Sequence, residues 1–282
     1  MKDKSPVSLT GHFTGQVWCE NGFSPQEMGS SLGKWLYRLH KPAGWLNERL
    51  WGHSLETILL ARHHFLDTLV SECIENQGVT QVIEIASGLS SRGLRMLSRY
   101  PSELTLYLEA DLPEMVRWKQ SRLPPQIHRD RRHHIQELNI LRETGPLSPE
   151  SIFSRYLDPT QNTLVITEGL VNYFSLPVIR QFWSRLHAML SPYPQAWYLF
   201  ELWPELSHYR SDITYRGLLK LIELMTRQPV PLHYGSDASI AQGIRTCGYQ
   251  QVQVLSPDLT DFRQGRLRRD MVCPFRVVKA QV

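Results

Sequence analysis

Apolar positions along this 282-residue chain change their spacing in a way that predicts alternating helices and strands. Between residues 55 and 77 they recur at helical spacing, which predicts a long amphipathic helix that ends near Gly78. Short apolar runs then predict buried strands, at residues 81–85, 104–108, 133–137, 163–167, 196–202, 250–255 and 273–279. Helical spacing returns between them, most clearly at residues 177–190 and 237–247. This alternation predicts an α/β fold with a doubly wound, mostly parallel sheet of seven strands.

The segments outside this pattern predict how the chain is organised. Residues 1 to about 25 are polar and are expected to form an arm, after which Ser24 and Pro25 predict the start of a helix. We therefore expect a helical N-terminal extension over residues 1–78 and a sheet core over residues 79–282, within a single structural domain. The stretch from about 203 to 236 is predicted to be an insertion that covers the core as a lid.

The first two strands carry the pattern of a nucleoside-binding site. The first strand runs into a turn of small residues, Ala86, Ser87 and Gly88, and then into a helix. The second strand ends on two acids, Glu109 and Asp111, which lie about 20 residues beyond the turn. An acid at that distance binds the ribose hydroxyls in the βαβ nucleotide fingerprint. The alternative is that this strand, turn and helix bind no ligand.

The chemistry of the turn favours one nucleoside over another. A dinucleotide site has three glycines there, so that the backbone can approach a pyrophosphate, whereas this turn has Gly88 alone. Glu84, inside the first strand, would repel a phosphate but suit a cation. S-adenosylmethionine has no phosphate and carries a sulfonium. The turn therefore favours S-adenosylmethionine over NAD as the cofactor.

Five segments resemble, in the same order, those of the leucine carboxyl methyltransferase family, which includes O-methyltransferases of polyketide pathways. They are residues 61–67, 84–92, 109–119, 137–139 and 167–174. The resemblance covers roughly residues 55 to 190 and implies a Rossmann-like methyltransferase fold that uses S-adenosylmethionine. Two positions depart from the family pattern. Ala86 stands where the family has the first glycine of its turn, and Glu137 stands where it has an aspartate.

The resemblance implies a role for several side chains around the cofactor. It favours Asp111 over the neighbouring acid as the ligand of the ribose hydroxyls. Glu137 and Leu138 would meet the adenine, and Glu168 would bind the amino group. Arg62 would bind the carboxylate through a bidentate pair. The alternatives are that Asp111 only caps a helix, that Glu137 is a solvated acid at a strand end and that Glu168 has a purely structural role. Arg62 would then be an ordinary surface arginine.

Further residues complete the candidate cofactor site. Lys34 is a second candidate cation from the N-terminal helices. The strand and turn signature contributes the rest, namely Glu84, Ala86, Ser87, Gly88 and Arg92. The catalytic residues stay open, because a carboxylate acceptor is already ionised at neutral pH and needs no base. The candidates are Tyr173, which could steer an anionic acceptor, and His208 or His233, which could act as bases towards a hydroxyl.

Aromatic residues bear on the nature of the acceptor. They are concentrated in the N-terminal helices and the insertion, at Trp35, Tyr37, Trp45, Trp51, Trp203, Tyr209, Tyr215 and Tyr234. Such residues are more often core than pocket, but a lid of this composition would suit an apolar or aromatic carboxylate. We therefore expect a small-molecule acceptor. A methyltransferase of protein C-terminal carboxylates, a catalytically silent cofactor-binding protein and, more remotely, a nicotinamide oxidoreductase are the alternatives.

Composition narrows the range of partners. A formal net charge of +4 is spread along the chain, and no apolar run is long enough to span a membrane. Neither nucleic acid nor a membrane is therefore expected as a partner. The four cysteines lack metal-site spacing. Adjacent histidines on one helix, His63 and His64, face different directions, so no metal site is expected. A cytoplasmic location is the default expectation, and the oligomeric state stays open.

Overall fold

The computed structural model describes residues 7–51, 54–123, 130–205, 219–220, 223, 229–257 and 273–282. These residues form a seven-stranded sheet with helices packed on both of its faces. The strands are β1 Gln81–Ile85, β2 Leu106–Asp111, β3 His133–Glu137, β4 Thr163–Thr167, β5 Ala196–Leu202, β6 Gln251–Leu255 and β7 Arg276–Gln281. The helices are α1 Val7–Glu20, α2 Ser31–Trp51, α3 Leu55–Gln77, α4 Arg92–Arg99, α5 Pro113–Gln120, α6 Pro149–Tyr156, α7 Leu176–Leu190 and α8 Asp237–Arg245. The predicted doubly wound α/β fold is confirmed.

The strand order, β3-β2-β1-β4-β5-β7-β6, changes direction between β1 and β4. Strands β1 to β5 are parallel, while β7 lies antiparallel between β5 and β6. In an open sheet of this kind a crevice forms where the order changes direction, at the carboxyl ends of the strands, and ligands bind there. The topology therefore directs the search for a site to the ends of β1 and β4.

Alternation along β1 decides which side chains face which helices. Ile83 and Ile85 pack in the cluster formed by α6, α7 and α8, whereas Val82 packs on the opposite face against α3 and α4. Successive side chains of a strand point to opposite faces. Glu84 therefore lies on the face covered by α3 and α4, where Arg92 is located.

The N-terminal segment differs from its prediction, because residues 7–20 form helix α1 and not an arm. Phe13, Val17 and Trp18 recur at helical spacing and are buried together against α2 and α3. Gly15 allows close packing, since a Cβ there would come within 2.7 Å of the side chain of Leu89. Gly15 therefore lets helix α1 approach the turn after β1 closely.

The helix predicted to start at Ser24 and Pro25 begins only at Ser31, because a short 3-10 turn at Gln26–Met28 ends in extended backbone at Gly29. The other predicted strand and helix bounds are close. Strands β1, β3, β4 and β5 have the predicted limits, whereas β2 begins at Leu106 because the residues before it bond to the loop at Thr80. Helix α3 ends with Gly78 in the left-handed conformation, at a φ of 62°. The ends of the predicted insertion are joined by a hydrogen bond from Glu205 N to Tyr234 O of 2.8 Å. Most of the insertion lies outside the described residues.

Candidate functional site

A cavity of about 380 Å³ opens at the carboxyl ends of β1, β2 and β4. This volume is in the range of small-molecule sites. Its walls include residues from α1 and from the ends of several strands, among them Thr10, Phe13, Trp18, Ala86, Ser87, Gly88, Asp111, Leu138, Glu168 and Glu201. The cavity thus lies at the change in strand order, where the topology places a ligand.

The turn after β1 forms one wall of the cavity. Ala86 and Gly88 both have left-handed backbone, with φ values of 57° and 52°. A Cβ added at Gly88 would meet nothing within 4 Å, so the backbone of the turn borders open space. Asp111 fixes this turn, because its Oδ2 accepts from Gly88 N and its Oδ1 accepts from Leu112 N, each at 2.7 Å. Burial raises the pKa of Asp111, and its oxygens keep lone pairs that could accept from ligand hydroxyls.

Arg62 joins two acids at the ends of neighbouring strands. Its Nε donates to Glu168 Oε1 at 2.9 Å and its Nη1 donates to Glu201 Oε1 at 3.0 Å. Glu201 also accepts from Gly169 N. Burial raises the pKa of Glu201. Burial alone would also raise the pKa of Glu168, but its contacts with His63, Arg92 and Arg62 lower that pKa well below the usual value.

Arg92 is fully buried and holds three carboxylates in place behind the cavity wall. It donates to Asp67 Oδ1 at 2.5 Å, to Glu168 Oε2 at 2.6 Å and to Glu84 Oε1. Glu84 also accepts from Tyr107 Oη at 2.8 Å. A buried charge is costly unless it is paired and hydrogen-bonded. Arg92 does not line the cavity itself, but it sets the orientation of Glu84 and Glu168, which do.

His63 is neutral and contacts an arginine through each of its ring nitrogens. Arg95 Nη2 lies 2.7 Å from His63 Nε2. Nδ1 lies 2.9 Å from both Arg92 Nη2, which can only donate, and Glu168 Oε2, which accepts. Burial, followed by the charge of Arg92, lowers the pKa of His63. Trp18 of α1 stacks on the ring at 4.2 Å and connects α1 to this network.

The network carries more acids than bases. Its four carboxylates are Asp67, Glu84, Glu168 and Glu201, and its three guanidiniums are Arg62, Arg92 and Arg95. The surplus negative charge beside the cavity favours a positively charged ligand group. Among the described residues there is no group of three or more histidines, cysteines and acids that could hold a metal ion.

Most of the predicted site residues lie together in the structure. The cavity is lined by Arg62, Glu84, Ala86, Ser87, Gly88, Asp111, Leu138, Glu168 and Tyr173. Tyr173 Oη shares a hydrogen bond of 2.8 Å with Thr10 Oγ1 of α1. Burial raises the pKa of Tyr173, so this hydroxyl stays protonated and can donate to a ligand.

Other predicted residues lie elsewhere. Lys34 is exposed on α2, because the side of that helix facing α1 is occupied by small and aromatic residues. Glu137 does not line the cavity; its carboxylate points outward and lies 3.7 Å from Arg117. His233 is buried, with Nε2 bonded to Phe174 O at 2.9 Å, and does not line the cavity. Arg92 supports the site from behind, and His208 lies outside the described residues.

The aromatic residues of α2 also differ from their predicted places. Tyr37 is buried, but Trp35 and Trp45 are exposed and belong neither to the core nor to the cavity wall. The side chain of Trp51 lies outside the described residues.

The sequence reasoning missed Glu201 and the contribution of α1. Glu201 lies one residue before the end of β5, so the rule that ligands bind at strand ends could have found it. Thr10, Phe13 and Thr14 line the cavity from α1 and gave no local signal, because they reach it through the packing of a distant helix.

Comparison with known proteins agrees with this geometry. A model of the family described as leucine carboxyl methyltransferase matches residues 30–183. A relative from Mycolicibacterium gilvum (strain PYR-GCK), named "Putative S-adenosyl-L-methionine-dependent methyltransferase", is 31% identical over 115 residues. That match covers 41% of this chain and 35% of the relative, so it spans about a third of the relative's length.

Solved structures share the fold. A DUF574 family protein from Streptomyces avermitilis superimposes with a TM-score of 0.62 and 15% identity, over 96% of each chain. The structure of PigF with SAH superimposes with a TM-score of 0.51 and 10% identity, over 89% of this chain and 73% of PigF. No helix among the described residues is long and apolar enough to cross a membrane.

Proposed function

We propose that this chain, which belongs to the leucine carboxyl methyltransferase family, transfers a methyl group from S-adenosylmethionine to an oxygen atom of a small molecule. The family and the doubly wound sheet support methyl transfer from S-adenosylmethionine. The observation that carries the proposal is the acidic network around Arg62 beside Asp111, at the carboxyl ends of β1, β2 and β4.

The residues of the cavity fit the cofactor part by part. Asp111 would accept from the ribose hydroxyls, and the left-handed backbone at Gly88 leaves open space beside it. Arg62 would donate to the carboxylate of the cofactor, and Glu168 and Glu201 would accept from its ammonium group. When bound, the cofactor supplies a methyl group activated by a positively charged sulfur. The surplus of acid in the network would favour that charge.

The remainder of the cavity suits an apolar or aromatic acceptor. Phe13, Leu55, Leu59, Phe174 and Trp203 line it, and polar contacts are few beyond the acids already named. Thr10 and Tyr173 lie at this wall with their hydroxyls hydrogen-bonded together, so either could donate to an oxygen of the acceptor. Such a pocket would hold the acceptor oxygen in line with the methyl group, which lowers the entropic part of the barrier.

The ionisable groups that line the cavity agree best with a carboxylate as the acceptor. No histidine lines the cavity among the described residues, and Tyr173 stays protonated. A carboxylate is ionised at neutral pH and needs no base, whereas a hydroxyl does. We therefore propose a small apolar or aromatic carboxylate as the acceptor.

Calorimetric titration with S-adenosylmethionine, S-adenosylhomocysteine and NAD tests the cofactor, and release of labelled methyl groups onto small carboxylic acids and phenols tests the acceptor. We expect both sulfur nucleosides to bind and NAD to fail. Glu168→Gln should weaken binding about 10-fold to 100-fold, because it removes a charged acceptor. Glu150→Gln is the matched control, since Glu150 pairs with Arg185 between α6 and α7, away from the cavity.

The outcomes separate the alternatives. Binding without turnover on any acceptor would favour a catalytically silent binding protein. Turnover on a protein chain terminus, with none on small acids, would favour a protein carboxyl methyltransferase. Failure of both sulfur nucleosides to bind would refute the proposal.

A further inference from the structure

Helix α2 presents a continuous apolar stripe to solvent. Its members are Leu32, Trp35, Leu39 and Leu46, and the exposed Trp45 lies beside it. Trp35 is 60% exposed and Leu39 is 66% exposed. Single exposed leucines are ordinary, but a run of leucines and tryptophans on one helix marks an interaction surface.

The stripe lies away from the protein, because the opposite face of α2 is the one that packs. Gly33 and Tyr37 are buried there, and a Cβ at Gly33 would come within 2.4 Å of His12 O of α1. Leu32, Trp35, Leu39 and Leu46 follow one another at spacings of three, four and seven residues, which places them on a single face.

Basic side chains accompany the stripe on the exposed surface. They are Lys34, Arg38, Lys41 and Arg49, all of them exposed. The sequence of α2 contains one acid, Glu48, so the helix carries a clear positive charge. The surface is therefore both apolar and cationic along its length.

We propose that α2 is an interfacial helix that binds the surface of an anionic lipid membrane. Tryptophan rings sit at the boundary between headgroups and acyl chains, where one edge is apolar and the other is wet. Lysine and arginine beside them attract anionic headgroups and extend their charged ends to the water. An amphipathic helix of this composition lies in the plane of the interface without spanning it.

Charge decides between a membrane and a second copy of this chain. An antiparallel pair of α2 stripes would bring the basic flank of one copy, formed by Lys34, Arg38, Lys41 and Arg49, beside the basic flank of the other, which like charges disfavour. An anionic surface instead neutralises all four. The inference stands apart from the proposed function, because it needs no ligand in the cavity. It does place the cavity close to the membrane, since α1 lines the cavity on one side and packs against α2 on the other.

Sedimentation of the full chain with lipid vesicles tests the proposal. We expect binding to phosphatidylcholine vesicles that contain phosphatidylserine, and little binding to pure phosphatidylcholine. The variant Trp35→Ala/Leu39→Ala/Leu46→Ala should lose binding, because each removed side chain weakens insertion more than about 10-fold. This variant should melt at the wild-type temperature, since the replaced side chains are exposed.

A charge variant and its matched control make the test specific. Replacing Arg38, Lys41 and Arg49 by glutamine should weaken binding about 100-fold in total, at about fivefold for each charge. Replacing three exposed arginines elsewhere by glutamine, Arg99, Arg117 and Arg155, changes the net charge equally and should have little effect.

Three results would overturn the proposal. One is a failure to bind either kind of vesicle. Another is an equal loss of binding in the charge variant and its control, which would indicate attraction by net charge alone. The third is a dimer in light scattering that the Trp35, Leu39 and Leu46 variant converts to a monomer, which would assign the stripe to a second copy.

Discussion

Replacing Arg62 by methionine should reduce both the stability of the protein and its affinity for the cofactor. The guanidinium donates to Glu168 at 2.9 Å and to Glu201 at 3.0 Å, and its side chain is 9% exposed. Methionine is similarly long but donates no hydrogen bond. Two buried carboxylates would therefore lose the cation between them.

The size of the stability loss follows from the donors that remain. Removing one partner of a buried ion pair costs about 3–5 kcal/mol. Glu168 keeps its bonds from Arg92 and His63, and Glu201 keeps its bond from Gly169. We therefore expect the lower end, about 3 kcal/mol, which for a chain of this size lowers the melting temperature by about 5 °C.

The pH dependence of that loss identifies its cause. Burial raises the pKa of Glu201 already, and without Arg62 that pKa should rise further. A carboxyl whose pKa is higher in the folded state binds its proton there first, so stability increases as the pH falls towards the unfolded value. The deficit of Arg62→Met should therefore shrink between about pH 7 and pH 5. Arg62→Lys retains the positive charge and should show a smaller change.

Titration with three nucleosides separates a lost ligand contact from a collapsed cavity. S-adenosylmethionine and S-adenosylhomocysteine carry the carboxylate that Arg62 would bind, whereas 5′-methylthioadenosine lacks it. We expect Arg62→Met to weaken the first two about 100-fold, or about 3 kcal/mol, and to leave the third nearly unchanged. Equal weakening of all three, or of none, would refute the assignment.

Three further substitutions test other parts of the site. Asp111→Asn should weaken all three nucleosides about 10-fold to 100-fold in calorimetry, because it removes the charged acceptor for the ribose. Ala86→Gly should raise the melting temperature by up to about 2 °C, since relief of about 1–2 kcal/mol of left-handed strain exceeds the entropy that glycine adds to the unfolded chain. Burial and Arg92 lower the pKa of His63, so the folded state binds fewer protons than the unfolded state below about pH 6.5 and wild-type stability falls there. Urea unfolding at about pH 7.5 and 5.5 should show a weaker decline for His63→Gln, and an unchanged decline would contradict the neutral assignment.

The sheet could be predicted because its signals are local. Strands β1 and β4 are buried on both faces, so each appears in the sequence as a short apolar run between turns. Helix α1 could not be predicted in this way, because its stability comes from contacts of Phe13, Val17 and Trp18 with α2 and α3 and not from local sequence preferences. Its glycines also disfavour a helix when they are considered alone.

The same distinction between local and long-range signals applies to the residues of the site. Residues directly after strands, such as Asp111 and Glu168, were predictable because the topology brings strand ends together. Glu137 was not, since a strand end does not reveal which way its side chain points, and here it lies near Arg117. The role of Arg92 depends on acids from three different elements, so no local pattern could show it.

Proton release on cofactor binding would test the electrostatic basis of the site as a whole. The network holds four carboxylates against three guanidiniums, and burial raises the pKa of Glu201 beside the cavity. Glu201 therefore takes up a proton at a higher pH than an ordinary carboxyl does. An ammonium group arriving beside Glu201 would stabilise the carboxylate, lower its pKa and displace that proton. Titrations at about pH 5.5 in buffers of different ionisation enthalpy should therefore give different heats of binding, and Glu201→Gln should remove the difference. Equal heats in every buffer, with the titrations repeated at several pH values between about 4.5 and 6.5, would count against contact between Glu201 and the cation and would favour Glu168 as its acceptor.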